Sequence, residues 1–130
     1  MKELEQRIYK YLKVRNWHNL LPADLAKSIM IEGAELLELF QWQNLPLEAV
    51  KADKEKLEEI KKELADVLIY SLEMSVLLGL DTEKIIRTKL ALAEKKYPAK
   101  LMRERKNQES GGGDDYWKIK KAHRSVKSKK

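Results

Sequence analysis

The chain contains no cysteine among its 130 residues. Disulfides, thiolate metal ligands and cysteine nucleophiles are therefore excluded, and a reducing compartment suits such a chain. Histidine is nearly as scarce. His18 and His123 are the two present, and neither stands at Glu-x-x-His spacing, which disfavours a di-iron carboxylate bundle. Glycine and proline, five and three residues, leave long stretches without a breaker. The isolated Gly33 and Gly79 make no phosphate-cradling loop, and no Ser, His and Asp arrangement points to a nucleophilic triad. Long apolar runs are missing as well. The richest, VLIYSLEMSVLLGL, is interrupted by Glu73, and the start MKELEQRIYKYLK lacks the apolar centre of a signal peptide. Nothing calls for export or a membrane, and a mainly cytoplasmic protein is expected.

What is present begins with charge. The formal net charge is +6, but from Ala99 to Lys130 eleven Lys and Arg face four Asp and Glu, so this end alone carries +7 and the rest is −1. The basic character belongs to a C-terminal tail. SGGGDD followed by KKAHRSVKSKK reads as a flexible joint and a polar end, able to hold nucleic acid or an acidic partner or simply to solubilise. Tyr116, Trp117 and Ile119 could dock that tail back onto the body. Length and 43% hydrophobic content fit one compact domain, expected over residues 1–98, with 99–130 as the tail.

The body reads as all-α, a bundle of about four helices. Apolar residues recur with a 3.6-residue period from about Lys2 to Arg15, Pro22 to Gln43, Ala49 to Leu78 and Thr82 to Lys96. Pro22 and Asp24 open the second helix, Asn44 to Pro46 close it, Gly79 ends the third, and Asp81 or Thr82 can cap the fourth. Tyr97-Pro98 stops the chain from continuing as helix.

The second helix holds an anomaly. In IEGAELLELF, Glu32, Glu35 and Glu38 recur at every third position, roughly 60° apart around a helix. Ile31, Leu39 and Trp42 bracket Glu35, while Leu36, Leu37 and Phe40 occupy much of the remaining surface, so Glu35 is not expected to face solvent. The third helix repeats the pattern in KKELADVLIY, where Glu63 and Asp66 are three apart beside Val67 and Tyr70. After Asp66 this helix is apolar nearly all round, which implies a partner subunit and a homo-oligomer, dimer or tetramer. Two such pairs on neighbouring helices supply up to eight oxygens for one hard cation, with Mg²⁺ or Mn²⁺ the natural guest. A solitary ExxE is commonly a solvated face. Glu58 and Glu59, with Lys61 and Lys62 nearby, read as such a face.

EGAELLELFQW followed by ELADVLIY resembles the signature of the all-α nucleoside triphosphate pyrophosphohydrolases, the MazG-like superfamily, and most closely its dCTP-pyrophosphatase-like branch. The resemblance runs from about Arg15 to Pro98 and includes RNWHNLLPADLAKSI and KLALAEKKYP. It implies Mg²⁺-dependent cleavage between the α and β phosphates of a nucleotide, on a bundle of at least two subunits, with cleaning of a deoxynucleotide pool as the expected role. By position it makes Glu32, Glu35, Glu63 and Asp66 the metal carboxylates, with Glu35 and Glu63 catalytic. Glu35 is the choice for general base, because apolar surroundings would hold its proton more tightly. Trp17, Trp42 and Tyr70 match aromatics of the nucleoside pocket. Lys89 matches a phosphate-contacting lysine, and Tyr97 a tyrosine near the ligand.

The chain also departs from that pattern. Ala93 and Ala91 stand where relatives carry an asparagine and an aspartate-like residue, Leu20 replaces a histidine, and the spacing from Trp17 to Pro22 is one residue short. The metal cage is thus better supported than the pocket. The alternative is a helical oligomeric interaction module with weak or lost catalysis, whose basic tail binds nucleic acid or an acidic partner.

Overall fold

A computed structural model of the chain describes residues 1–104 and 113–128, and the described part is all-α. The helices are α1 (Lys2–Lys13), α2 (Pro22–Glu38), α3 (Leu47–Ala52), α4 (Lys54–Leu77), α5 (Thr82–Lys96), α6 (Ala99–Glu104) and α7 (Gly113–Ser128). They fall into two compact units, Met1–Glu83 and Lys84–Lys130. The expected boundary at residues 98 and 99 lies inside the second unit. None of the described helices is long and apolar enough to cross a membrane.

In the first unit α4 is the spine: α2 lies along it, α1 packs on it and α3 touches it. Ile8 and Leu12 of α1 meet Leu72 of α4 in a small buried cluster, with Leu77 against it. Leu25 of α2 is the remaining buried apolar side chain among the described residues. This is a slight core. Met30, Ile31, Leu37, Leu64 and Leu68 all stay exposed on α2 and α4, so the apolar circumference seen in the sequence is left largely uncovered within one chain.

Local rules account for the helix ends. Pro22 occupies the first turn of α2, where its missing N–H costs nothing, and Asp24 adds an acid near the positive end of the helix. α2 stops at Glu38, a turn before the expected Gln43. The expected single helix from Ala49 to Leu78 is two, because Asp53 adopts an extended conformation (φ −89°, ψ 97°) and turns its carboxylate onto the Lys56 N–H as an N-cap. An aspartate offering that bond competes with a continuous helix. At the other end Gly79 sits at φ 66°. The Leu80 N–H reaches the Ser75 carbonyl at 2.9 Å and the Gly79 N–H reaches Val76 at 3.1 Å, the Schellman arrangement.

In the second unit the tail contains α6 and α7, and its helix extends well beyond the joint expected there. The ring of Tyr116 stacks on Tyr97, with centroids 5.2 Å apart and planes 16° from parallel. Lys120 lies over Tyr116 and Trp117. Ser110 and the first two glycines of the joint are outside the described residues.

The two isolated glycines should respond oppositely to alanine. A Cβ at either meets no neighbouring atom within 4 Å, so only backbone preference acts. Gly79→Ala, forced into the left-handed region, should destabilise by roughly 1–2 kcal/mol. Gly33→Ala, inside α2, should stabilise by up to about 1 kcal/mol. Denaturant unfolding of both variants checks the pair.

Candidate functional site

Glu32 and Glu35 are one helical turn apart on α2, and Glu63 and Asp66 are likewise on α4. The helices run antiparallel, since Leu39 near the end of α2 meets Lys56 at the start of α4 while Glu32 lies by Asp66. That direction brings the pairs face to face. One carboxylate oxygen from each of Glu32, Glu63 and Asp66 lies within 4.8 Å of the others. Glu35 stands outside this trio, and its nearness to Glu32 and to Glu63 raises the proton affinity of both. Glu38 adds its charge at Glu63 from the next turn.

The electrostatics follow from the crowding. Glu32 holds its proton above the ordinary carboxylate range, first through the hydrogen bond to Glu35, then through desolvation and the charges of Glu35, Asp66 and Glu63. Glu63 is raised too, first by desolvation and then by Glu35, Asp66 and Glu38. Glu58 gives the contrast. Its pair with Lys61 lowers its proton affinity, and both side chains are exposed, as expected of a solvated face. Among the described residues none of the four facing acids pairs with a lysine or arginine.

Do these residues fit a cation? The donor set is all oxygen, which suits a hard divalent ion. Oxygens 4.8 Å apart can share an ion about 2.4 Å or more from each, and a small inward shift of the side chains would suit the roughly 2.0–2.1 Å of Mg²⁺. Moreover Glu63 Oε2 is buried with no hydrogen-bond partner, and such an atom is costly unless something engages it. The residues fit.

The aromatics divide between the units. Tyr70, one turn after Asp66, holds its phenolic proton tightly, chiefly through desolvation and then through the charges of Glu32, Glu73 and Asp66, with Tyr11 adding to it. Its hydroxyl therefore lies beside the acids. Trp17 is brought to Tyr11 by a left-handed turn at Asn16 (φ 57°), which returns the Trp17 N–H to the Leu12 carbonyl at 2.9 Å. The Tyr11 and Trp17 rings meet edge to face at 6.0 Å. Trp42 is 88% exposed, in a loop whose residues Phe40, Gln41, Trp42, Gln43, Asn44 and Leu45 line a hollow of about 520 Å³. Lys89, exposed on α5, and Tyr97, half-buried against Tyr116, belong to the second unit.

One expectation needs correction. Glu35 is exposed, because its apolar brackets Ile31 and Trp42 are themselves uncovered and do not wall it off from water. The sequence reading also passed over Tyr11 and Lys56. Tyr11 lies two turns before the Trp17 turn with no motif to mark it, and Lys56 sits in a lysine-rich run like any surface cation.

The family model described as MazG-like matches residues 27–113. The chain belongs to the MazG-like family. Both carboxylate pairs of this MazG-like chain, and α2 from Lys27 onward, fall inside the matched segment. Among solved structures, a pyrophosphatase from Archaeoglobus fulgidus is similar, with 36% sequence identity and a TM-score of 0.65 over 75% of this chain and 92% of that one. No curated protein matches the MazG-like chain.

The raised carboxyls set a pH dependence. Above the ordinary value of 4.5 the native chain retains protons that the unfolded chain has lost. Stability therefore falls as pH rises from 4.5 through the raised native values. Replacing Glu63 by Gln removes one such group. In metal-free buffer with chelator, the melting temperature of Glu63→Gln should gain on the parent as pH rises from 4 to 7.5, and thermal scans across that range test it.

Proposed function

We propose that this chain is a nucleoside triphosphate pyrophosphohydrolase that converts a (d)NTP and water to the (d)NMP and pyrophosphate, with Mg²⁺ as its ion and Mn²⁺ as a substitute. The observation that carries the reading is the meeting of carboxylates from α2 and α4, none paired with a lysine or arginine among the described residues, in a group whose Glu63 also has a buried oxygen without a hydrogen-bond partner. Acids in that number would repel a triphosphate by themselves. When bound, the divalent ion supplies charge neutralisation and a more acidic water. Family membership and the likeness to an archaeal pyrophosphatase support the reading.

The chain's own residues then have separate tasks. Glu32, Glu35, Glu63 and Asp66 hold the ion from two helices. Glu35 is an exposed member of the four and lies beside Glu32 and Glu63, so it can take a proton from the attacking water, whose oxygen joins phosphorus as the α–β anhydride bond breaks and pyrophosphate departs. Tyr70 borders the acids, while Trp17 and Trp42 offer ring faces to a base, each stacking contact being worth roughly 1–3 kcal/mol. Lys89 and Tyr97 are assigned to phosphate and ligand contact by the family pattern. A dCTP-like nucleotide is the first candidate substrate. The exposed apolar faces of α2 and α4 support a homo-oligomer completed by a second copy.

With Mg²⁺, pyrophosphate release from a panel of dNTPs and NTPs should fall at least about 100-fold in Glu35→Gln and in Glu63→Gln. Folded protein that releases none from any nucleotide would transfer the reading to an interaction module. Independently, Mg²⁺ or Mn²⁺ at 100 times its Kd should stabilise the parent by about 2.7 kcal/mol, seen as a raised melting temperature. The same addition should leave Glu35→Gln nearly unmoved.

A further inference from the structure

Helix termini prefer opposite charges. Cations favour the C-terminal end, where carbonyls are unsatisfied, and are disfavoured in the first turn. Here both preferences are crossed. α2 has no basic residue in its last turn, and Lys56 stands three residues after the N-cap of α4, at the end of that helix which repels it.

The side chain explains the placement. Lys56 Nζ donates to the Leu39 carbonyl at the end of α2 at 2.6 Å and to Gln43 Oε1 at 3.0 Å, and it lies 5.2 Å from the centre of the Phe40 ring. One ammonium group thus caps α2 from outside and binds two residues of the following loop. Its own backbone N–H is fixed by Asp53 Oδ1 at 3.0 Å, so the anchor begins from a pinned turn. Trp42 lies between Phe40 and Gln43 with its ring almost wholly free. Within the loop the backbone closes on itself through single turns: the Phe40 N–H donates to Leu37, Gln41 to Glu38, and Gln43 to Phe40. The lysine joins that loop to the helix carrying Glu63 and Asp66.

We propose that Lys56 is a positioning residue for nucleotide binding, tying the Trp42 loop to α4 so that the aromatic platform and the carboxylates keep a fixed register. The inference deepens the pyrophosphohydrolase reading and rests on it for the role of Trp42. Lys56 lies about two turns before Glu63 on α4 and spends its ammonium group on Leu39 and Gln43. Its effect should therefore appear in substrate affinity and loop order, with chemistry spared.

The test uses the full chain and reads amide hydrogen exchange together with pyrophosphate release. Lys56→Met keeps the aliphatic stem and removes the charge. It should speed exchange at residues 40–43 about tenfold, the scale of losing a charged hydrogen bond. KM should rise about tenfold with kcat held within about twofold. Lys56→Arg, which can still donate to the Leu39 carbonyl, should restore most of both. Gln43→Ala, which leaves the core and the ammonium in place, should move both readouts in the same direction by less. Unchanged exchange in Lys56→Met overturns the attachment. Faster exchange with unchanged KM, or a loss confined to kcat, overturns the positioning role. If the parent releases no pyrophosphate, the functional reading fails and takes the substrate role of Lys56 with it, while exchange still decides whether the lysine holds the loop.

Discussion

Like charges facing each other across two packed helices are the constraint to which the rest of the first unit answers. α2 and α4 bring Glu32, Glu63 and Asp66 within 4.8 Å, with no basic side chain paired to them among the described residues, and something else must hold the helices in register. Part of that is apolar: Ile8 and Leu12 brace α4 from α1, and Leu25 is buried from α2. Part is polar and lies at the far end of the pair, where Lys56 grips the carbonyl of Leu39, the residue that caps α2. The repulsive middle is thus flanked by two attractive ends. An ion drawn into the middle would act on the fold as well as on the substrate, since it would turn the weakest part of the helix pair into a link.

Much of this was legible in the residues alone. The 3.6 period places α1 and α5 nearly to the residue; Pro22 marks a helix start because its φ is fixed, and Gly79 a helix end because it enters the left-handed region without strain. The acid pairs stood out because ExxE and ExxD were set in apolar surroundings, unlike Glu58, which has a lysine three residues on. What escaped did so for physical reasons. Periodicity reports which side of a helix is apolar, but it says nothing about whether a neighbour covers that side, so Glu35 was expected inside and lies outside. Asp53 looks like an ordinary helix acid until its carboxylate is seen on the Lys56 N–H. Lys56 cannot be told from Lys54 by composition, because the carbonyl that distinguishes it is 17 residues away.

The small buried core and the wide uncovered apolar faces are two sides of one fact. Leu12 is fully buried, and few of the chain's other large apolar side chains come close. A helix pair with so little inside is an economical scaffold for a site at its own seam, since the side chains that would fill a larger core are spent on surfaces. The binary pattern of α4 after Asp66 already expresses this: its apolar residues surround the helix, and one chain supplies neighbours for only part of the circumference.

The stack of Tyr116 on Tyr97 has a different bearing. The family's segment ends at residue 113, and α7 lies beyond it except for its first residue, Gly113. Residues past such a limit are ordinarily free to drift or to be lost without notice. Here a ring of the appended helix rests flat on a ring of the family's own segment, which makes positions 97 and 116 answerable to each other. A change at one ring is therefore a change in the surroundings of the other.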